Sequence, residues 1–371
     1  MKKITIELLL GCLFIISSSC EKVKIIEPNP EPRPEGWIYL NFEIPVVSEL
    51  VLTDNWLYVC AAKDGLYRTK LPTSTNSTWE YLGLGDLDVV WPAVTGVMDV
   101  IEQHDTLLVG INSGNFSPDI PGIFCSFDDG ESWIPSDSGF IKDAIYTGSS
   151  NVYTLAQSPT TAQRVLAGCG GGYLLYLSEN FGKTWKMNFD LFHGSIIINK
   201  AAFSPMNEDE IWIGGEIRYH VNRPILYKSV DLGNEWEDLL ERHYDPSGSS
   251  DGVVDFALSP DNPATCYVCF YQTIQVTNNA GIHWTTSLDT LKNSILKGIQ
   301  INPDNGTDLI TSSRDSLYKT IDGGVSWESF YASPEDSLRI TNFVVDWENT
   351  TLYASGYNPV TLSRRIFQLY F

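Results

Sequence analysis

Short apolar runs alternate with polar turns along most of this chain, a pattern that predicts β-strands rather than helices. The clearest unit has four such runs: Val152–Gln157, Arg164–Gly168, Tyr173–Leu177 and Thr184–Met187. A turn of the type Ser158-Pro159 follows its first run, and equivalent turns follow the first runs of later units: Ser204-Pro205, Ser259-Pro260 and Asn302-Pro303. The pattern predicts an all-β chain built from repeated units of four antiparallel strands.

One polar motif, [ST]-x-[DN]-x-G-x-x-W, separates the last two strands of the predicted units. Its five copies are Ser126–Trp133, Ser178–Trp185, Ser229–Trp236, Thr277–Trp284 and Thr320–Trp327. A degenerate copy ends at Trp79, with Asn76 where Gly is expected. From Trp79 the tryptophans advance by 54, 52, 51, 48 and 43 residues. A period of this length is typical of repeat proteins, in which each unit buries its apolar face against its neighbours.

The residue types in the motif predict a closed turn, which we call the clasp. A short Asp or Asn side chain accepts hydrogen bonds from backbone N–H groups two residues on, and Gly adopts a positive φ at no steric cost. The hydroxyl bonds back across the turn, and the Trp begins the next strand and fills the space beneath it. We therefore assign a structural role to the third-position residues: Asp128, Asn180, Asp231, Asn279 and Asp322.

The clasp resembles the Asp-box, or BNR repeat, of sialidase-like and sortilin-like β-propellers. The chain is also similar to the single-propeller group that includes photosystem II assembly factors. The last unit, Ile340–Phe371, has three predicted strands and the strand Trp37–Ile44 has no unit of its own. Pairing them would remove two exposed edges. We predict a single seven-bladed β-propeller of four-stranded antiparallel blades over residues 37–371, closed by the N-terminal strand.

The N-terminus is typical of a bacterial lipoprotein precursor. Residues 1–19 combine Lys2 and Lys3 with an apolar run, Leu8–Ile16, that is too short to span a bilayer. We predict lipidation of Cys20, a proline-rich linker over residues 20–36 and a membrane-anchored position in the cell envelope. The alternative is an ordinary secretory signal that ends near a cysteine.

Charge and cysteine content narrow the classes of partner. The formal net charge of −22 argues against nucleic acid, which favours a basic face. Five cysteines remain after the anchor, and their spacing fits no metal site: Cys60, Cys125, Cys169, Cys266 and Cys269. Buried thiols are the favoured interpretation, with any disulfide pairing left open. We predict a monomer without metal or cofactor, attached to the membrane only by its lipid.

The expected binding surface is the propeller face opposite the clasps, where relatives with this architecture bind ligands. Long predicted loops there, such as Glu216–Pro224 and Leu239–Gly252, carry aromatic, Arg and His residues. Such residues are suited to bind a sugar or a peptide, although long loops also gather them by covering one another. The candidate ligand-binding residues are Trp91, His193, Arg218, Tyr219, His220, Arg223, Arg242, His243 and Tyr244. Three of these histidines could meet, but without a suitably spaced carboxylate we predict no metal site.

A second set of candidates comes from aligning the first strand of each unit on the turn that follows. The residues five positions before the turn are Glu49, Asp99, Thr154, Lys200, Asp255, Gly298 and Asn342. They predict a polar ring around a central channel. The ring is either a hydrated wall or a site of acid–base chemistry, for which Asp99 and Asp255 are weak catalytic candidates.

Two functions remain open. The first is a non-catalytic cell-surface lipoprotein that binds a glycan or protein partner through the loops opposite the clasps. The second is a sialidase-like exo-glycosidase, which by resemblance requires three arginines, a Tyr/Glu pair, an Asp and an Arg-Ile-Pro motif. This chain has Arg223-Pro224 without the middle residue, and its candidate arginines are concentrated rather than spread: Arg218, Arg223, Arg242 and Arg314. We favour binding over catalysis.

Overall fold

The computed structural model describes residues 36–43, 46–85, 87, 95–114, 120–141, 151–171, 173–190, 196–219, 221–240, 252–289, 295–332 and 338–371. Every helix or strand element in these ranges is a β-strand. None of the described elements is a helix that could cross a membrane. The described residues belong to one compact unit, Glu35–Phe371, and the predicted signal and linker lie almost entirely outside them.

The strands form four-stranded antiparallel groups in chain order. Sheet one contains β2 (Glu49–Leu52), β3 (Trp56–Cys60), β4 (Leu66–Lys70) and β5 (Glu80–Gly83). Sheet two contains β6 (Gly96–Gln103), β7 (Thr106–Asn112), β8 (Ile123–Ser126) and β9 (Ile134–Pro135). Sheet three contains β10 (Asn151–Gln157), β11 (Val165–Gly171), β12 (Tyr173–Ser178) and β13 (Lys186–Asp190). The repeated order of strands predicted from the sequence is therefore present.

The later sheets continue the same order. Sheet four contains β14 (Ile196–Phe203), β15 (Ile211–Tyr219), β16 (Val221–Ser229) and β17 (Glu237–Asp238). Sheet five contains β18 (Val253–Leu258), β19 (Cys266–Phe270), β20 (Thr273–Thr277) and β21 (Thr285–Asp289). Sheet six contains β22 (Ile299–Asn302), β23 (Asn305–Ser312), β24 (Ser316–Thr320) and β25 (Glu328–Ala332). Sheets three and four also touch through a short β11–β14 pairing.

The first and last parts of the chain share a sheet. Sheet seven contains β26 (Arg339–Asp346), β27 (Thr351–Tyr357), β28 (Arg364–Tyr370) and β1 (Trp37–Glu43). Strand β1 pairs with β28, with Trp37 opposite Leu369 and Ile38 opposite Gln368. The predicted pairing of the N-terminal strand with the three-stranded last unit is therefore present, and it covers the edge of β28.

Apolar clusters lie between consecutive sheets. In one of them Leu108 and Ile123 of sheet two pack with Val152 and Val165 of sheet three. Equivalent clusters join sheets one and two and each later pair of sheets in chain order. A further cluster joins Leu40 and Ile366 of sheet seven to residues of sheet one. Each sheet is thus covered on both faces, which accounts for the buried apolar runs of its middle strands.

The clasps are closed by their own side chains. In the first copy the Ser126 hydroxyl donates to Asp128 Oδ1 at 2.7 Å and accepts from the Gly130 N–H at 2.8 Å. The Asp128 carboxylate accepts from the Ser132 N–H, four residues on rather than the predicted two. These bonds hold the pKa of Asp128 at about 2, with the Ser132 hydroxyl the largest cause. The turn is longer than predicted because Asp129 and Gly130 both have a positive φ.

Several clasp tryptophans join neighbouring sheets, whereas Trp236 Nε1 donates within its own turn, to the Gly233 carbonyl. Trp133 Nε1 donates to the Leu82 carbonyl at 2.6 Å, and Trp185 Nε1 donates to the Ser136 carbonyl at 2.7 Å. Trp79 of the degenerate copy donates to Leu40 at 3.4 Å. Each acceptor of these bonds between sheets lies on or just after the last strand of the preceding sheet, so the indole stabilises a contact between repeats as well as the core.

One predicted loop is wrong. The segment Glu216–Pro224 forms the extended ends of β15 and β16, which pair up to Tyr219 opposite Val221. The alternation of Ile217, Tyr219 and Val221 with polar residues favours strand, and the cross-strand pairs continue the hairpin beyond the length of its neighbours. Only His220, which lies outside the described residues, remains between the two strands.

The cysteines are thiols. All five described cysteines are free and buried, as the sequence favoured. Cys266 packs between sheets four and five, whereas Cys269 packs between sheets five and six. Their three-residue spacing therefore places them on opposite faces of β19.

Candidate functional site

The connectivity defines two ends of the sheets. In a four-stranded antiparallel unit, the first and third turns lie at one end and the second turn lies at the other with the connection to the next unit. We call the end with the Ser-Pro turns and the clasps the clasp face. We call the opposite end the loop face.

The structure describes only part of the predicted binding set. Arg218 and Arg223 lie on the extended β15–β16 hairpin at the loop face, with the backbone of Tyr219 between them. The other predicted ligand-binding residues fall outside the described residues: Trp91, His193, His220, Arg242, His243 and Tyr244. The predicted meeting of three histidines falls there as well. Within the described ranges, no group of His, Cys, Asp and Glu is arranged to hold a metal ion.

Arg218 is held by a buried carboxylate. Its Nε and Nη2 atoms donate to Glu216 Oε1 at 2.7 Å and 2.6 Å. The Glu216 side chain is 1% exposed and the Arg218 side chain is 54% exposed. Glu216 Oε2 has no hydrogen-bond partner among the described residues. A buried carboxylate is costly unless paired, so this pair fixes the guanidinium while leaving its outer N–H groups accessible.

Tyr153 and Asn112 extend this site across sheets two and three, and sequence reasoning missed both. Burial raises the pKa of Tyr153, while its hydrogen bond to Asn112 and the nearby charge of Arg218 act in the opposite direction. A Cβ atom at Gly170 would lie 2.6 Å from the Tyr153 ring, so glycine is needed there. In the sequence, Tyr153 could have been identified by its position directly before Thr154, a member of the predicted polar ring.

Arg223, the other predicted arginine that the structure describes, is less accessible to a ligand. Arg223 Nη2 lies 3.5 Å from Asp238 Oδ2, and the Arg223 side chain is 38% exposed. Arg68, from the first sheet, is buried and donates to Asp129 Oδ2 at 2.8 Å. Arg68 therefore supports a clasp, as expected of a structural residue.

The residues of the predicted polar ring lie at equivalent positions in the first strands of the sheets. A bulge precedes five of its members: Asp99, Thr154, Lys200, Asp255 and Asn342. Their partners on the second strands are small, namely Gly110, Gly168, Gly214, Cys269 and Ser355. Bulges redirect side chains, and the small partners leave space for them.

The two catalytic candidates join neighbouring sheets. Asp99 accepts from the Val100 N–H at 2.8 Å and from the Leu155 N–H of sheet three at 2.7 Å. Asp255 likewise accepts from the Phe256 N–H at 2.8 Å and from the Ile299 N–H of sheet six at 3.0 Å. Both oxygens of each carboxylate are therefore engaged with backbone donors, which favours a structural role.

The charged members of the ring influence one another. Burial, followed by the charge of Asp99, raises the pKa of Glu49 to about 8. Burial raises the pKa of Asp99 to about 6, opposed by its backbone hydrogen bonds and by Lys200. Lys200 Nζ lies 3.6 Å from Asp255 Oδ1, and this carboxylate is the main cause of a raised Lys200 pKa. Near neutral pH the ring therefore holds the Lys200 ammonium and a Glu49 side chain that is mostly protonated.

A cavity of about 330 Å³ lies along the first strands of sheets four to six. Lys200 lies at its ring end, Phe203 and Phe256 contribute to its walls, and Pro205 and Pro260 of the Ser-Pro turns lie at the clasp face. Sequence reasoning placed no site here. The single ammonium is already compensated by Asp255, so the cavity is chiefly apolar, and no clasp residue lines it.

Solved structures with a similar fold have several functions. YCF48 bound to D1 peptide superposes with a TM-score of 0.61 at 12% identity, over 92% of this chain and 98% of that one. The xyloglucanase of glycoside hydrolase family 74 from Xanthomonas campestris gives 0.52 at 12% identity, over 87% of this chain and 60% of that one. The extracellular domain of BT4673 from B. thetaiotaomicron gives 0.60 at 13% identity, over 89% and 39%.

These likenesses establish the class of fold, which is that of β-propeller proteins. At such low identity they do not extend to function, since one fold carries many activities. No protein-family model and no curated protein matches the sequence.

Proposed function

We propose that the chain is a seven-bladed β-propeller lipoprotein that binds a protein or glycan partner at its loop face without catalysis. The fold proposal is supported by the four-stranded groups and by the β1–β28 pairing. It is also supported by the apolar cluster that joins sheets seven and one. Closing the ring through β1 covers the edge of β28 and packs the outer faces of sheets seven and one against each other.

The Arg218–Glu216 pair is the observation that carries the binding proposal. Burying the Glu216 carboxylate beside a half-exposed guanidinium costs desolvation free energy, so stability alone does not explain the pair. Its remaining N–H groups are suited to a carboxylate or sulfate, and the neighbouring Tyr153 offers an aromatic surface. YCF48, of similar fold, was solved with a bound D1 peptide, which is consistent with a protein partner for this chain.

The glycosidase alternative has weaker support. Asp99 has a pKa of about 6, a value suited to general acid chemistry. Its oxygens nevertheless accept hydrogen bonds from the Val100 and Leu155 N–H groups, and Asp255 likewise accepts one from a backbone N–H of the next sheet. We therefore assign both residues a structural role, in which they link neighbouring sheets.

The envelope location rests on the sequence of residues 1–36. Cys20→Ser should release the protein from the membrane fraction, because the linker after it has no other apolar anchor. Sedimentation of this variant with membranes would show that the lipoprotein assignment is wrong.

The binding proposal is tested by probing glycan and peptide arrays with the full chain and two variants. Arg218→Ala should abolish the array signal, whereas Lys183→Ala, an exposed change at the clasp face, should leave it intact. Loss of signal only with Lys183→Ala would contradict the assignment of the face. Release of sugar from an arrayed glycan, if it is abolished by Asp99→Asn, would favour the glycosidase alternative.

A further inference from the structure

Four cationic side chains gather at the loop face of sheets six and seven, which we call the cationic patch: Lys297, Arg314, Arg339 and Arg364. Lys297 precedes β22, and Arg314 lies in the turn between β23 and β24. Arg339 begins β26 and Arg364 begins β28. All four positions are therefore at the end of the sheets opposite the clasps.

The backbone brings these residues together. Arg339 and Arg364 flank Tyr357 in adjacent strands, so the three side chains share one row on one side of sheet seven. The Arg364 guanidinium lies 4.5 Å from the centre of the Tyr357 ring. The Ile340 N–H, next to Arg339, donates to the Arg314 carbonyl at 2.7 Å, which joins the two sheets.

The patch is positively charged within an acidic protein. Among the described residues, none of the four cations forms an ion pair, whereas Arg218, Arg223 and Arg365 each have a carboxylate partner. Asp315, beside Arg314, is exposed. Glu335 and Asp336 precede Arg339 in the sequence and lie outside the described residues.

Lys297 shows that the cations affect one another. Burial lowers the pKa of Lys297, and the neighbouring Arg314 lowers it further. Holding like charges together costs free energy. In a chain of net charge −22, such a cluster therefore favours an anionic ligand that compensates it.

Exposed apolar side chains border the patch. Val360 is 78% exposed and Leu362 is 70% exposed, both in the turn between β27 and β28. Asn358 orders this turn, since its Oδ1 accepts from the Val360 N–H and its carbonyl accepts from the Leu362 N–H. Leu362 has a φ of 62°, so the turn presents these side chains in a fixed arrangement.

We propose that sheets six and seven bind an acidic protein segment that carries apolar side chains, with its carboxylates on the cationic patch and its apolar residues on Val360 and Leu362. The inference rests on the proposed function, because it names the class of partner for the same face. Arginine forks bind carboxylates in two-point contacts, and Tyr357 adds a surface for a peptide backbone. A flat membrane surface fits less well, because Lys297 is recessed beside the first strand of sheet six.

The test measures binding of the full chain to a fluorescent peptide of alternating Asp and Leu, about ten residues long and so able to span about 33 Å. Arg339→Ala with Arg364→Ala should weaken binding at least about tenfold, since each removes charge-assisted contacts. Lys70→Ala with Lys186→Ala is the matched control. It removes the same charge from exposed positions at the clasp face and should leave the affinity unchanged.

Two further comparisons examine the apolar part and the sign of the charge. Val360→Ser with Leu362→Ser should weaken binding of the Asp–Leu peptide but leave that of an Asp–Ser peptide unchanged. A Lys–Leu peptide should bind at least about tenfold more weakly than the Asp–Leu peptide. Melting curves for every variant confirm that the fold is retained.

Several results would overturn the inference. Equal affinity of the patch variant and the control would do so, as would preference for the Lys–Leu peptide. Patch-dependent binding to phosphatidylglycerol vesicles without peptide binding would identify a membrane surface instead. If Arg218→Ala abolishes peptide binding while the patch variant retains it, the proposed function stands and the patch assignment is wrong.

Discussion

The clasp face and the loop face use polar residues in different ways. At the clasp face the same bonds recur from sheet to sheet, as in the Ser126–Asp128 and Thr320–Asp322 pairs. Among the described residues of the loop face, the polar side chains do not recur from sheet to sheet. Arg218 keeps accessible N–H groups while the buried Glu216 holds it in place. Where a polar motif repeats from sheet to sheet, its groups form hydrogen bonds with one another. Where the sequence departs from the repeat, polar groups remain available to a partner. A repeated polar motif is therefore better evidence for fold than for a binding site.

The largest effect on the fold is expected from removing β1. Deleting residues 37–43 should expose the edge of β28 and remove Leu40 from the cluster between sheets seven and one. We expect aggregation and a lower melting temperature, measured by size-exclusion chromatography and calorimetry. The control deletes residues 24–30, an equally long segment of the linker. A β1-deleted protein that remains monomeric with the same melting temperature would show that β1 does not complete the fold.

The second prediction concerns the clasp tryptophans. Trp185 is 5% exposed, and its indole packs edge-on against Phe140. Trp185→Ala should lower the free energy of unfolding by about 3–5 kcal/mol, as measured by denaturant titration. Trp284→Ala should cost less, because the Trp284 side chain is only partly buried and its Nε1 has no partner among the described residues. An unchanged unfolding free energy for Trp185→Ala would contradict the structural role of the clasp.

The third prediction, which has a smaller expected effect, concerns Glu49 of the polar ring. Because folding raises the pKa of Glu49 from 4.5 to about 8, the folded state binds this proton more tightly than the unfolded chain. The resulting stability should be complete below pH 4.5 and lost as the pH rises through 8. Glu49→Gln should therefore flatten this part of the stability profile, by on the order of a few kcal/mol at alkaline pH.

The matched control for Glu49→Gln is Asp128→Asn at the clasp face. The pKa of Asp128 is about 2, so its titration lies below this pH range and the variant should keep the wild-type slope. Thermal unfolding between pH 5 and 9 measures both variants. A wild-type slope in Glu49→Gln would show that Glu49 is not the group that titrates.

The sequence was most informative where interactions are local. Within each clasp turn, the side-chain hydrogen bonds to the hydroxyl and the Asp or Asn connect residues at most four positions apart, such as Asp128 and Ser132, so their residue types predict the turn. The missing strand of the last unit could be found by counting strands, and β1 fills it. The ring register was also predictable, because a polar residue recurs at one distance from each Ser-Pro turn, although Gly298 takes this position before the Asn302-Pro303 turn.

The site itself depends on contacts that the sequence pattern does not encode. Arg218 meets Glu216 because β15 continues beyond the length of its neighbours, where we predicted a loop. Tyr153 meets Asn112 only because sheets two and three lie side by side. The row of Arg339, Tyr357 and Arg364 requires the register of two separate strand pairs. Such long-range registers follow from tertiary packing rather than from local preference.

The most direct test of the central claim compares binding between two triple variants of the full chain. Arg218→Ala, Arg339→Ala and Arg364→Ala together change the loop face, whereas Glu131→Ala, Lys183→Ala and Asn234→Ala change exposed positions at the clasp face. Isothermal titration with the Asp–Leu peptide measures the affinity of each. We predict that the loop-face variant remains folded but melts at a lower temperature, because the buried Glu216 loses its partner. This variant should lose binding, while the clasp-face variant binds as the wild type does. Loss of binding only in the clasp-face variant would contradict the account.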